Sequence, residues 1–502
     1  MATPQHSQPS PQQIQAVINL LNSGQLQQAE TQAKQLIATH PNTFILHHAL
    51  SLSLDGQQKY TEAATSYQNA LKLQPEKFGQ KSADLLFNLG IALTQLNRLD
   101  EAANAYTQAI KLQANFFEAH GNLGTIFQRQ GKLNDAINSY QAGLKINPQD
   151  ARGHFNLGTV LRDSGDLAAA VISYQKAIQL FPNYTDAHNN LGETLRDQGN
   201  MEAAVKSYQA ALARNANHAN ANYNMAEFLM LAKQYDEAIT FFERSQLDDW
   251  QARKLYCLYK AEKFDAFKAN RDALAGGMPN NSPFIATLSA HYSINTNQQD
   301  NYNFCKNGLE FVYQNNMVSS SLVAELLNDI NHADIAERKQ GRLTNGQQSA
   351  GNLFKRPEAS FRKLAELIKQ EFVRYKQQFA EADCMLIKAF PIECEFTSSW
   401  YVKMQQGGHL NAHIHEIGWL SGAVYLAMPP KNGLEGAFEY GLHGDDYPIL
   451  APKTTADFPT QQILPNVGDI VLFPSSLFHR TIPFNASEPR ICIAFDLKPP
   501  AN

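Results

Sequence analysis

The sequence predicts a multidomain α + β chain, an N-terminal α-solenoid of helical hairpins followed by a C-terminal β jelly roll. Three observations carry this reading. An A-x-x-x-Y/F-x-x-A/G pattern recurs every 34 residues through the first half of the chain. After Asp383 the chain turns to short runs rich in β-branched and aromatic residues, separated by turn chemistry and without intervening helical periods. The 502 residues also far exceed the roughly 150 that one domain uses, so at least two cores are expected.

Composition narrows the class. An apolar share of 43% and a charged share of 18% belong to a folded globular protein, which excludes a mainly disordered or collagen-like chain. Lys plus Arg at 42 against Asp plus Glu at 47 gives a net charge of −5. No strongly basic surface is implied, so neither nucleic acid nor an anionic membrane is an expected partner. The five cysteines, Cys257, Cys305, Cys384, Cys394 and Cys492, are odd in number and form no C-x-x-C pair. A disulfide framework is therefore not expected. The opening MATPQHSQPSPQQ is polar, reads as a disordered tail over residues 1–9, and has no signal-like apolar run. With no apolar stretch of about 18 residues anywhere, the expected address is the cytoplasm.

The repeats read clearly at Ala102/Tyr106/Ala109, Ala136/Tyr140/Gly143, Ala170/Tyr174/Ala177 and Ala204/Tyr208/Ala211. Ala63/Tyr67/Ala70 with Pro75, Ala29 with Pro41, and Ala238/Phe242 extend them to seven units over 10–252. A Leu-Gly pair sits twelve residues before the first Ala in the best units, at Leu89-Gly90, Leu123-Gly124, Leu157-Gly158 and Leu191-Gly192. In this pattern Gly and Ala let two helices approach while the Tyr fills the gap. The pattern resembles the tetratricopeptide repeat, which implies a superhelical stack with a long concave binding surface.

Two ladders run through these units. Asn precedes the Leu-Gly position five times, at Asn88, Asn122, Asn156, Asn190 and Asn224. An amide side chain offers a donor and an acceptor, so such a ladder can bond an extended peptide backbone without reading its side chains. It is similar to the Asn ladder of O-linked N-acetylglucosaminyl transferase repeats, which implies a peptide-binding role. The plainer reading is that Asn is the repeat's usual residue there. His120, His154 and His188, also 34 apart, are expected to be solvent-facing or packed helix residues and not a metal array.

Helical spacing without the repeat signature continues over 253–335, which reads as a helical connector or cap. Polar loops at 276–283 and 342–353 follow, with an amphipathic helix SFRKLAELIKQEFVRYKQQFAEA after the second. The β-rich domain is expected over 336–502.

Chemistry concentrates in that domain. His413 and His415 open a strand, and residues two apart on a strand point to one side, so the two can share an ion. His479 follows a strand and a Pro-Ser-Ser turn, where a third ligand can close the site. Arg490, eleven residues on, falls on the neighbouring strand.

The H-x-H, the Ser-Gly-x-x-Tyr strand, the G-x-x-x-x-F-P-S-x-x-x-H turn and the distal Arg together resemble a 2-oxoglutarate- and iron(II)-dependent oxygenase on a double-stranded β-helix, over roughly 340–499. The resemblance implies iron(II), 2-oxoglutarate and O2 as cofactors, with ascorbate as an accessory. It also implies metal binding by His413 and His479, and capture of the distal carboxylate by Arg490. Tyr401 and Tyr425 are implied as hydroxyls facing the cosubstrate. His415 occupies the slot that the commoner pattern gives to Asp or Glu. Glu416 lies on the opposite face, and Glu439, Asp445 or Asp446 would reach the site only by a loop folding back. His409 and His443 are expected near the mouth as non-ligands.

The expected function is a dioxygenase that hydroxylates a side chain of a protein or peptide held by the repeats. Two alternatives remain at this stage. One is a non-catalytic scaffold; the other is a cupin-like three-histidine metalloenzyme that uses no keto acid and so needs no Arg490.

Overall fold

The computed structural model describes residues 8–73, 79–247, 249–277, 281–338 and 341–499. Residues 1–7 of the expected tail, and Pro75, lie outside the described residues. The chain divides into two compact units, 1–225 and 226–502. Among the described residues no helix is long and apolar enough to cross a membrane.

The first unit is an array of helical hairpins in which each helix packs on the next. The pairs are Pro11–Asn22 with Leu26–Thr39, Phe44–Gly56 with Tyr60–Leu73, Gly79–Gln95 with Leu99–Leu112, Phe117–Arg129 with Leu133–Ile146, Ala151–Asp163 with Leu167–Leu180, and Thr185–Asp197 with Met201–Arg214. The unit boundary falls inside the next helix, Ala219–Leu231. Asp166 and Asn200, one repeat apart, cap successive second helices by accepting from the N–H of Ala169 and Ala203.

The Gly-Tyr pairing explains the repeat chemically. Tyr106, Tyr140, Tyr174 and Tyr208 are buried, and each ring lies on the Gly of its own hairpin. A Cβ at Gly90, Gly124, Gly158 or Gly192 would come 2.5 to 2.9 Å from that ring. Only a residue without a side chain permits the approach. The histidine ladder also has a structural cause. Imidazole Nε2 of His47, His154 and His188 meets the carbonyl six residues earlier, Pro41, Pro148 and Pro182, at 2.8, 3.1 and 3.1 Å, and His120 does so more loosely with Ala114 at 3.4 Å. These histidines tie down the loop before each hairpin.

The second unit opens with helices Tyr235–Ser245, Trp250–Lys260, Phe264–Gly277 and Pro283–Thr296. Among the described residues ten strands follow: β1 (Tyr313–Asn316), β2 (Glu337–Arg338), β3 (Leu343–Ser349), β4 (Phe396–Leu410), β5 (Leu420–Ala427), β6 (Phe438–Gly441), β7 (Thr460–Ile463), β8 (Asp469–Pro474), β9 (Phe478–Thr481) and β10 (Arg490–Leu497). They form a seven-stranded sheet in the order β1-β8-β5-β10-β4-β3-β2 and a three-stranded sheet in the order β7-β6-β9, with every pairing antiparallel. The stretch 253–335, expected to be helical throughout, thus contributes an edge strand. Tyr313–Asn316 is captured by backbone pairing with β8, a long-range bond that local helical spacing does not encode.

Alternation sorts the strands between two cores. Val402 and Met404 of β4, Ala423 and Tyr425 of β5, Val471 and Phe473 of β8, and Cys492 of β10 meet Phe438 and Tyr440 of β6 between the sheets. The opposite faces, with Tyr401, Val424, Leu472, Ile493 and Phe495, pack under helices. One such helix is Ala359–Gln378, whose Phe361, Leu364, Ile368, Phe372 and Tyr375 recur at helical spacing on its buried side.

The Gly-Tyr contact is testable in the array. Gly158→Ala gains about 1 kcal/mol of helix propensity but drives a methyl against the fully buried Tyr174 ring, an overpacking cost of about 1–3 kcal/mol. Chemical denaturation followed by circular dichroism should show net destabilisation, whereas Gly131→Ala, at a Gly in the left-handed region with φ 72° and open space around it, should show backbone strain without a clash.

Candidate metal and cosubstrate site

A cavity of about 460 Å³ lies between the two sheets, and His413, His415, His479 and Arg490 all line it. The histidines arrive from two chain segments pinned together. The N–H of His413 donates to the carbonyl of His479 at 3.1 Å and that of His479 to His413 at 2.9 Å, while the N–H of His415 reaches the carbonyl of Ser475 at 3.3 Å. The ring centroids are 4.2 Å (413–479), 4.8 Å (415–479) and 5.3 Å (413–415) apart. Their candidate ligand atoms lie within 4.8 Å of one another.

Each ring uses the same nitrogen for the protein. Nδ1 of His413 faces the carbonyl of Asn411 at 2.8 Å, Nδ1 of His479 that of Leu477 at 3.3 Å, and Nδ1 of His415 the carboxylate of Asp496 at 2.5 Å. These partners are acceptors, so Nδ1 carries the proton and Nε2 keeps its lone pair. Burial foremost, and then the neighbouring imidazoles, pulls His413 down to about 3 and His479 well below its ordinary value. At neutral pH His413 and His479 are therefore uncharged and present lone pairs, as metal ligation requires.

At the other part of the cavity, Arg490 is buried and donates from Nε to the carbonyl of Gly436 at 3.1 Å. Among the described residues no carboxylate stands within ion-pair distance of it. Its guanidinium lies 5.0 Å from the centre of the Tyr425 ring. The Tyr425 hydroxyl is buried without a hydrogen-bond partner, and burial foremost pushes its pKa up, so it stays a donor. A buried cation and an unpaired hydroxyl side by side are what an anionic ligand group would satisfy.

Tyr401 is a correction. Strand β4 turns Ser398, Trp400 and Val402 into the cavity, so Tyr401 points the other way, where its hydroxyl donates to Glu337 at 2.7 Å. The carboxylates considered from sequence are engaged elsewhere. Glu439 bonds Arg480 and Gln462, and Glu416 pairs with Arg253 at 2.9 Å. Asp445 lines a neighbouring cavity, and Asp446 accepts from Lys260 through its carbonyl. His409 bonds the carbonyl of Gly407, and His443 meets His291 at 2.9 Å.

Two cavity residues escaped the sequence reading. Asp496 shares the inward face of β10 with Arg490, six positions on, so strand parity from Arg490 would have found it. Gln348 on β3 leaves its buried side-chain carbonyl unpartnered in the cavity, and only the β3–β4 register reveals it.

In the repeats, Asn88, Asn122, Asn156 and Asn190 are half-buried. Asn122 lies 3.4 Å from the Tyr106 hydroxyl, and the side-chain oxygen of Asn190 accepts from Asn189. Asn224 departs from the expected ladder. It is buried, its amide donates to Asn189 and Glu193, and its oxygen takes Arg196. The neighbouring helix supplies these polar groups, so this amide is already satisfied.

Residues 398–496 match the family described as "Putative 2OG-Fe(II) oxygenase". Tetratricopeptide repeat families match at 90–131, 122–185, 173–206 and 195–253. The chain thus joins tetratricopeptide repeats to a domain that matches the "Putative 2OG-Fe(II) oxygenase" family. Among curated proteins nothing matches. Solved structures similar to the chain include the C-terminal part of a TPR repeat-containing protein from Cytophaga hutchinsonii, at 15% identity, covering 46% of this chain and 93% of that one with a TM-score of 0.42. YrrB, titled a TPR protein with an unusual peptide-binding site, is 20% identical over 40% of this chain and 97% of its own, with a TM-score of 0.34. MamA from Desulfovibrio magneticus is 21% identical over 34% and 95%, with a TM-score of 0.32.

A buried relay near this site offers a pH test. Asn295 donates to the Tyr259 hydroxyl at 2.8 Å, that hydroxyl meets His291 Nδ1 at 2.6 Å, and His291 Nε2 meets His443. Burial foremost lowers His291 to about 3, so it is neutral in the fold and takes a proton below about 6.5 when unfolded. Its contribution to stability is complete above about 6.5 and is lost as pH falls toward 3, by up to about 1.4 kcal/mol per pH unit. Denaturation midpoints at pH 7 and 5 should show a shallower pH dependence in His291→Gln than in the parent.

Proposed function

We propose that this protein is a 2-oxoglutarate- and iron(II)-dependent dioxygenase that hydroxylates a side chain of a protein or peptide captured by its repeats, and that it works in the cytoplasm. One observation carries the reading. A single cavity joins three histidines with free Nε2 lone pairs to a buried Arg490 that no carboxylate pairs with among the described residues and to the buried Tyr425 hydroxyl beside it. A three-histidine metalloenzyme without a keto acid has no use for that second group. The five free cysteines support a reducing compartment.

His413, His415 and His479 would hold iron through Nε2. Arg490 would take the distal carboxylate of 2-oxoglutarate by a charge-assisted pair, with the Tyr425 hydroxyl donating to the same group. When bound, the iron supplies oxidative decarboxylation, in which substrate C–H, O2 and 2-oxoglutarate become C–OH, succinate and CO2. Phe438, Phe473 and Val402 line the remaining cavity and exclude water from the reacting groups. The repeats would supply binding energy through Asn88, Asn122, Asn156 and Asn190.

His479→Ala should abolish stoichiometric Mn(II) binding in calorimetric titration while the helical circular dichroism of the chain persists. Arg490→Ala should keep the metal but weaken 2-oxoglutarate binding to the Mn(II)-loaded chain by about 10–100-fold, the worth of a hydrogen bond to a charged group. Unchanged cosubstrate affinity in Arg490→Ala would refute the assignment.

The peptide role is tested on a captured partner that gains one oxygen atom in mass. Each well-made hydrogen bond is worth about 0.5–1.5 kcal/mol, so converting Asn122, Asn156 and Asn190 together to Ala should raise KM for that partner about tenfold or more. Uncoupled 2-oxoglutarate turnover should be unaffected. A triple variant that modifies its partner as well as the parent would assign the amides to the repeat pattern alone.

A further inference from the structure

The H-x-H motif leaves an iron site one negative charge short of the usual two-histidine, one-carboxylate set. The missing charge has a counterpart in the fold. Asp496 is 5% exposed and lines the same cavity as the three histidines. Its Oδ1 stands 2.5 Å from Nδ1 of His415 and accepts the Ser421 hydroxyl at 2.7 Å, while its Oδ2 accepts Ser398 at 3.0 Å. Ser475 continues the chain of hydroxyls to Ser421 at 2.7 Å. Among the described residues no Lys or Arg pairs with this carboxylate. The loop carrying His415 is pressed onto it, because a Cβ at Gly418 would meet Ser475 Oγ at 2.7 Å and Asp496 Oδ1 at 3.2 Å.

The geometry points to Asp496 as the positioning residue of the metal site: it holds the Nδ1–H of His415, turns Nε2 toward the ion, and returns through one imidazole the negative charge that the motif lacks. This rests on the metal site proposed above. His413 and His479 make the equivalent bond to neutral backbone carbonyls, so His415 alone is held by an anion. A divalent ion with three neutral imidazoles carries two positive charges. With Asp496 in the surrounding shell the buried group carries one, the same as a site with a ligating carboxylate. Asp496 does not itself ligate in this arrangement, because the His415 ring stands between it and the ion. A carboxylate behind a ligating histidine fixes the ring's tautomer and orientation and raises its basicity.

The test uses the full chain with Co(II) and Zn(II) as probes. Asp496→Ala should weaken Co(II) binding by about 100-fold and isosteric Asp496→Asn by about tenfold, the range for loss of such a partner. Asn keeps an acceptor oxygen for Nδ1–H but not the charge. The Co(II) absorption band shape should be the same in Asp496→Asn and the parent, since the ligand set is unchanged. In 15N spectra of the Zn(II)-loaded chain, His415 should show Nε2 bound and Nδ1 protonated in both, and lose that pattern in Asp496→Ala. Unchanged affinity and an unchanged His415 pattern in Asp496→Ala would overturn the inference. So would a changed Co(II) band in Asp496→Asn, which would make Asp496 a ligand. Absence of metal binding in the parent itself would instead refute the underlying metal site.

Discussion

Strand β10 is hydrogen-bonded on both sides, to β4 and to β5, and lies at the centre of the large sheet. Its alternation then decides what the rest of the domain can do. Ile491, Ile493, Phe495 and Leu497 go outward into the core shared with the helices. Arg490, Cys492, Ala494 and Asp496 go inward to the cavity. Six residues of strand span roughly 20 Å, so the buried cation and the buried anion are fixed toward opposite ends of one cavity. They cannot neutralise each other: Asp496 bonds His415, and Arg490 has no carboxylate partner among the described residues. Small Cys492 and Ala494 between them leave the room that a ligand needs.

The helices at the start of the second unit bear on the same site. Arg253 pairs with Glu416, next to His415; Thr287 donates to the carbonyl of Ser476, three residues before His479; His291 meets His443; and Asn295 bonds the backbone at both Pro448 and Leu450. Three loops around the cavity are thus tied to two helices, Trp250–Lys260 and Pro283–Thr296. A metal site needs its ligands held to a fraction of an ångström, and short loops on a small sheet would not supply that alone. The segment that looked from its sequence like a connector between domains is part of what orients the histidines.

The legibility of these features follows the range of the interactions behind them. The hairpin array was readable because every unit repeats the same local contact, Gly against Tyr within one hairpin. His413, His415 and His479 were readable from their spacing, although the structure sets His413 on an isolated bridge and His415 in the loop before β5, not at the start of a strand, and carries His479 on β9, not in the turn before it. Tyr401 was misplaced because parity along a fifteen-residue strand depends on its register, and the β3–β4 pairing is itself irregular between Thr344 and Gly346. β1 was missed because YQNN has little strand character of its own and is paired by β8, more than a hundred and fifty residues away in sequence. Asp496 lay within reach of the sequence, since an inward Arg490 forces position 496 inward.

The two ladders in the repeats show why recurrence alone does not identify function. Histidine recurs because an imidazole reaches the carbonyl six residues back, and where the next repeat has Asn222 in its place, the amide makes the same bond to the carbonyl of Ala216 at 2.9 Å. Position 222 therefore keeps the bond while changing the residue, which marks the bond as what the fold requires. Asn behaves in the opposite way. The residue stays the same at 88, 122, 156, 190 and 224, yet its partners vary: the tyrosine hydroxyl of the preceding hairpin at Asn122 and Asn190, a neighbouring amide as well at Asn190, and a full set at Asn224. No single internal bond accounts for the constancy of that amide. At Asn224 the fold already uses both the donor and the acceptor of the amide, so recurrence of the residue there carries no peptide role.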